Sequence, residues 1–131
     1  VNIILSSHES EMEKGQIKFT YAIELPDMLP FSDVDITAIL SNAIENAIKA
    51  VLKLPAVERI IHLELRMNGG KLLLLLKNRF GEPPVLVDGI PMSTVPGHGI
   101  GTQSIRYMAE KLKGNCQFSL IDDYFVLQVI L

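Results

Sequence analysis

The chain has 131 residues, a formal net charge of −3, 48% hydrophobic and 21% charged residues, and a mean hydropathy of +0.29. That excludes a disordered chain, which would be poor in apolar residues and rich in charge. The length gives one domain able to bury its own core. The acidic balance lacks the footprint of a nucleic-acid binder. No apolar run is long enough to cross a bilayer; the longest is Leu72 to Leu76. The single cysteine, Cys116, cannot form an internal disulfide and fits a reducing compartment. The apolar excess implies a dense core, a surface that meets another domain, or both.

Val1 to Lys14 reads as a short helix with a thin apolar stripe of Val1, Ile4, Leu5 and Met12, ending near Gly15. It starts without a cap residue, as a stub cut from a longer element does, and His8 is expected at its surface. Ile17, Phe19, Tyr21 and Ile23 alternate with polar or small residues and predict a strand with one apolar face. Asp33 or Asp35 then caps a helix reaching about Leu52, with Ile36, Ile39, Leu40, Ala43, Ile44, Ala47, Ile48 and Val51 at helical spacing. Arg59 to Met67 is a second strand, and Asn68-Gly69-Gly70 a hairpin turn. Lys71 to Lys77 is a third, whose five leucines predict burial on both faces and a central place in the sheet.

Arg79 to Gly97 shows no periodicity and contains Pro83, Pro84, Pro91 and Pro96; a structureless stretch of this length reads as a functional lid. Gly101 to Lys113 is a helix with Ile105, Met108, Ala109 and Leu112 inward and Gly114 as its terminating residue. Cys116 to Ile121 and Tyr124 to Leu131 form a closing strand pair. The order predicts an α/β (α+β) two-layer sandwich, a mixed sheet with helices packed on one face.

Three polar features stand out. Asn42, Glu45, Asn46 and Lys49 lie at i, i+3, i+4 and i+7 on one stripe of the long helix, opposite its apolar stripe. Asparagine is a mediocre helix former, so two of them one turn apart in mid-helix need a reason. One reading aims their amide oxygens at a hydrated Mg²⁺ that carries phosphate oxygens, with Glu45 orienting a ligand or water and Lys49 reaching phosphate. The other is a plain polar stripe. Gly97-His98-Gly99-Ile100-Gly101 precedes a helix, where glycines let backbone N–H groups approach an anion; the alternative is a hinge. Here His98 reads as a phosphate contact or loop packing rather than a proton carrier. Asn78, in Lys77-Asn78-Arg79-Phe80-Gly81, ends a buried strand, where it either reads a base edge or forms a turn. No Walker P-loop and no Ser-His-Asp set occurs.

In order, these pieces resemble the GHKL superfamily, named for gyrase, heat-shock chaperone, histidine kinase and MutL. Asp35 to Ala50 (DITAILSNAIENAIKA) is similar to its N box, KNRFG from Lys77 to its first glycine box, and GHGIGTQSI from Gly97 to its second. Within the superfamily the chain most resembles the ATP-binding catalytic domain of sensor histidine kinases of the peptide-pheromone-sensing type. The resemblance implies a Bergerat-type fold over residues 1–131, with 1–14 a stub of the linker from a helical dimerisation and phosphoacceptor domain and 79–97 an ATP lid.

The resemblance also assigns Asn46 to Mg²⁺, Asn42 to the metal or its waters, Lys49 to phosphate and Asn78 to the adenine amine. Gly99 and Gly101 would let the backbone approach ATP, with His98, Ile100 and Thr102 lining the lid end; Asn42, Glu45 and Asn46 form the catalytic group. Three positions depart from the family pattern: Phe80 replaces a glycine, Asn78 a carboxylate, and Thr102 a leucine. The implied activity is an ATP-dependent protein histidine kinase of a two-component system, with the phosphoacceptor histidine on the absent hairpin. Its implied partners are that hairpin, a response regulator and, in the full-length protein, a second subunit. Its implied place is the cytoplasmic side of a membrane-anchored sensor. Two other functions suit the same fold: a nucleotide-gated regulator resembling an anti-sigma-factor kinase, and a degenerate scaffold that binds no ATP.

Overall fold

A computed structural model describes residues 2–81, 85–87, 90–92 and 100–131, with side chains for 5–81 and 103–131. The elements run α1 (Asn2–Lys14), β1 (Lys18–Glu24), α2 (Asp33–Val51), β2 (Ile60–Asn68), β3 (Lys71–Arg79), β4 (Val85–Val87), β5 (Ile90–Met92), α3 (Ile100–Lys111), β6 (Asn115–Ile121) and β7 (Tyr124–Ile130). Five strands form one sheet in the order β1-β2-β3-β7-β6. β1 runs parallel to β2 and the other pairs are antiparallel. The mixed two-layer sandwich read from the sequence is thus the observed architecture.

Period-2 alternation puts one apolar set on the helix-facing side of the sheet. Leu63, Leu76, Leu127 and Phe118 lie in one cross-strand row, and Leu65, Leu74, Val129 and Cys116 in the next. Against them pack Met12 of α1, the whole apolar stripe of α2 from Ile39 to Val51, and Ile105 and Ala109 of α3. Each fully buried aliphatic side chain here contributes roughly 1.5–3 kcal/mol. Burial draws Cys116 into this layer and pushes its thiol up to about 11, against an ordinary 9.0. The neutral thiol's stabilising effect is therefore complete below pH 9 and lost as pH rises towards 11.

Several local expectations are corrected. Ser32, not Asp33 or Asp35, caps α2: its hydroxyl oxygen accepts from the Val34 N–H at 3.2 Å, while both aspartates sit in the first turn. There their charge favours the positive helix end. β3 is central, but only Leu72, Leu74 and Leu76 are buried; Leu73 and Leu75 are half-buried on the face without helices. His8 is buried, because it lies between Leu5 and Met12 on the inward stripe of α1. Its Nε2 is 3.3 Å from the Ser41 hydroxyl of α2. Tyr21 and Leu120 face the helical side but lie beyond its cover and remain exposed. The stretch after Arg79 is not without structure: β4 and β5 form a short antiparallel hairpin, and β5 lies against α3 and β6.

Gly69 and Gly70 carry φ of +59° and +80°, as a two-residue hairpin with both central residues left-handed requires. At the end of α3 the left-handed residue is Lys113 (φ +61°), not Gly114. The Gly114 N–H donates to the Ala109 carbonyl at 2.8 Å and the Lys113 N–H to the Glu110 carbonyl at 2.9 Å, a Schellman closure. Gly114 is a glycine for space: an added Cβ would collide with the Ile130 carbonyl. Exposed Lys113 carries a left-handed cost of about 1 kcal/mol. Lys113→Gly should therefore raise stability by about 0.5–1 kcal/mol, read as a higher urea midpoint at unchanged slope.

Candidate functional site

α2 supplies the polar stripe. Its apolar residues anchor one side against the sheet, and Asn42, Glu45, Asn46 and Lys49 fall on the other. Ser41 meets α1 through His8. At about 100° per residue, Asn42 and Asn46 are turned roughly 100° and 140° from Ser41. They are therefore turned away from the α1-facing side of α2. Both asparagines are half-buried, while Glu45 and Lys49 are exposed. Neither asparagine amide makes a hydrogen bond with another described residue. Glu45 and Lys49, one turn apart, form no ion pair with each other.

Asn78 lies inside β3 rather than at its end, and it is 3% exposed. The register places it in the row Phe19, Ile61, Asn78, Phe125, Leu120, on the sheet face that the helices cover. It is the one polar member of an apolar row. Its Nδ2 donates to the Arg79 carbonyl at 3.1 Å, which fixes the amide plane and leaves the Oδ1 acceptor for another donor.

The end of β3 is held from both sides. The Phe80 N–H donates to the Asp123 carbonyl at 3.2 Å. Arg79 lies 3.5 Å from the Asp123 carboxylate, with its guanidinium 5.9 Å from the Tyr124 ring centre. Gly81 sits against Leu54, since a Cβ there would be 3.0 Å from its Cδ2. This contact sets the strand end beside the turn that follows α2. α2 also packs on β3, so both features belong to this helix–sheet pair.

Arg59 is a positioning residue that the sequence reading did not single out. Its Nη1 donates to the Gly15 carbonyl at 2.6 Å, its Nε to Leu54 at 2.9 Å and its Nη2 to Leu52 at 3.5 Å. One guanidinium thus ties the C-terminal ends of α1 and α2 together. The only signal in the sequence is a cation shortly after a helix end.

Ile100 and Gly101 begin α3, so they belong to its first turn rather than to the loop before it. Thr102 follows in that turn. The side chains of Ile100 and Thr102, and His98 and Gly99 altogether, lie outside the described residues. Among the described residues no group of His, Cys, Asp and Glu could hold a metal; a metal at the polar stripe of α2 would rest on amide oxygens.

A family model described as "GHKL domain" matches residues 31–131. The chain belongs to the GHKL family. Comparison with curated proteins returns no match. Among solved structures, this GHKL domain is similar to the nucleotide-free catalytic domain of histidine kinase ThkA, with a TM-score of 0.79 at 18% identity over 99% of this chain and 88% of that one. It is similar also to a mycobacterial sensor histidine kinase, MprB, with a TM-score of 0.75 at 16% identity over 99% and 91%. For the histidine kinase AdeS of Acinetobacter baumannii the values are 0.70 and 14%, over 99% and 61%. The fold is that of histidine kinase catalytic domains. No described helix is long and apolar enough to cross a membrane.

Proposed function

We propose that this GHKL domain binds Mg·ATP and presents the γ-phosphate to a histidine on a separate helical domain, as the catalytic part of a sensor histidine kinase. The observation that carries this reading is the pair of half-buried mid-helix asparagine amides, unpartnered among the described residues, on the polar stripe of α2, the helix that packs on β3. Two such amides cost helix stability and gain nothing from the fold itself.

The donor set fits the group. Amide oxygens suit Mg²⁺, which takes few protein ligands and keeps several waters. Asn46 would hold the ion and Asn42 the ion or its waters. Bound Mg²⁺ would neutralise phosphate charge. Lys49 adds a cation within the same stripe, and Glu45 orients a water or ligand. Asn78 accepts a hydrogen bond from the adenine amine through Oδ1. Backbone N–H groups at Gly99 and Gly101 approach the phosphates, His98, Ile100 and Thr102 border them, and residues 79–97 form the lid. Phosphoryl transfer relies on positioning and charge neutralisation. The acceptor is an imidazole nitrogen of the helical domain, and a response regulator receives the phosphoryl group afterwards.

By its boxes the chain falls with the peptide-pheromone-sensing kinases, which implies a dimeric, membrane-anchored parent with residues 1–14 leading from the helical domain. Calorimetric titration of the 131-residue chain with ATP should give saturable binding in magnesium and a much weaker signal in excess EDTA. Absence of heat at millimolar Mg·ATP would remove the reading and leave the scaffold.

A further inference from the structure

β1 is an edge strand, and no described strand pairs with its outer side. Natural edges are blunted by proline, bulges or a covering element. β6, the opposite edge, has β5 against it. β1 has no bulge over its seven residues and no proline, and no described strand covers it; its charges sit only at its two ends, Lys18 and Glu24. Lys18, Thr20, Tyr21, Ala22 and Glu24 are all exposed.

The phase of its hydrogen bonds is fixed. The Lys18 N–H donates to the Arg59 carbonyl at 2.8 Å, so Lys18 turns its backbone groups towards β2. In a strand paired in parallel on one side, alternate residues face that partner. Thr20, Ala22 and Glu24 therefore share the phase of Lys18. Phe19, Tyr21 and Ile23 turn their N–H and C=O groups outward, to the free side.

We propose that a second copy of this chain pairs antiparallel along this edge, with Tyr21 opposite Tyr21 of the second copy. In that register Phe19 meets Ile23 and Tyr21 meets its own equivalent, and each of these pairs has outward backbone groups on both strands, as hydrogen-bonded antiparallel pairs need. The side chains match as well. Lys18 falls opposite Glu24 and, by the two-fold symmetry, Glu24 opposite Lys18. Ile17 falls opposite Leu25, and Thr20 opposite Ala22. A slip of two residues either way keeps the backbone phase but puts Lys18 opposite Ala22 or Pro26, and both ion pairs vanish. The segment is thus self-complementary in one register, the condition for a closed two-fold contact.

The apolar side of the seam adds to it. Tyr21 is 59% exposed, its ring 5.6 Å from that of Phe19. Both border an open groove of about 340 Å³ between α1 and β1, floored by Leu5, Met12 and Ile17. Tyr21 of the second copy would stand at the mouth of that groove. A strand of seven residues is small beside the roughly 20–30 residues per side of a standard interface, so the association is weak and concentration-dependent.

Sedimentation velocity of the 131-residue chain from micromolar to millimolar concentration tests this. A monomer–dimer equilibrium is expected, and a monomer throughout would overturn the proposal. Lys18→Glu or Glu24→Lys alone should weaken dimerisation about tenfold, since each sets like charges opposite one another twice. The double reversal, Lys18→Glu with Glu24→Lys, should restore it. Dimerisation that ignores the single reversals, or that the double reversal does not restore, rejects the register. Tyr21→Phe keeps the ring and should keep the dimer, whereas Tyr21→Pro removes the ring and an outward N–H, leaves the groups that face β2 in place and should abolish the dimer with the melting transition preserved. A dimer that survives Tyr21→Pro rejects the edge.

Discussion

Asn46→Ala is expected to abolish magnesium-dependent ATP binding while the fold becomes slightly more stable. The two effects have opposite signs for separate reasons. Alanine is the better helix former, by up to about 0.7 kcal/mol per site, and Asn46 faces away from the apolar stripe that anchors α2. Removing a half-buried amide that bonds no other described residue leaves no orphaned partner among them. Stability should rise by a few tenths of a kcal/mol, read from the urea midpoint. Binding should fall by at least about a hundredfold in magnesium, because in the proposed site the amide oxygen would be the protein's main hold on the ion. Asn46→Asp separates two explanations. A carboxylate keeps an oxygen ligand but adds charge beside the phosphates, so affinity should also drop. A variant with unchanged affinity in magnesium would mean that the polar stripe is only a solvated face.

The fold was legible because its strongest signals are local and repeated. The α2 stripe, the glycine hairpin and the alternation in β6 and β7 each carry one period over many residues, and tertiary packing agrees with them. What could not be read depends on neighbours distant in sequence. His8 looks like an exposed polar residue until α2 is set beside it, when it proves buried against Ser41. Gly114 looks like a left-handed helix terminus, but its lack of a side chain serves the close passage of β7, and Lys113 takes the left-handed turn. The leucines of β3 read as buried on two sides because the sequence cannot tell a covered face from one that is only half-shielded by neighbouring strands. For the candidate site, the asparagine pair was visible from its spacing within a predicted helix, as residues out of place there. The role of Arg59 was not, since three carbonyls from two helix ends converge on it only in the folded chain.

Asn78→Leu gives the sharpest separation of structure from function. In its row, Phe19, Ile61, Phe125 and Leu120 are apolar, and along β3 the same face carries Leu72, Leu74 and Leu76. Leucine therefore continues both patterns, and it has the same branched heavy-atom skeleton as asparagine, with two methyl groups in place of the amide oxygen and nitrogen. The native amide makes one hydrogen bond among the described residues, to the adjacent Arg79 carbonyl. Its loss costs about 1 kcal/mol, which burying the added apolar surface offsets to a similar degree. Stability should thus change by less than about 1 kcal/mol. Nucleotide recognition should respond far more. A site built to hydrogen-bond a polar group suffers heavily when one side of the pair becomes apolar, so affinity for ATP should fall by about a hundredfold or more. Asn78→Asp keeps an acceptor for the adenine amine and should retain binding within about tenfold. Calorimetric titration of both variants, beside their urea curves, reads the two quantities separately. If Asn78→Leu binds ATP as well as the parent chain, the buried amide is a structural feature of β3 and the base is read elsewhere.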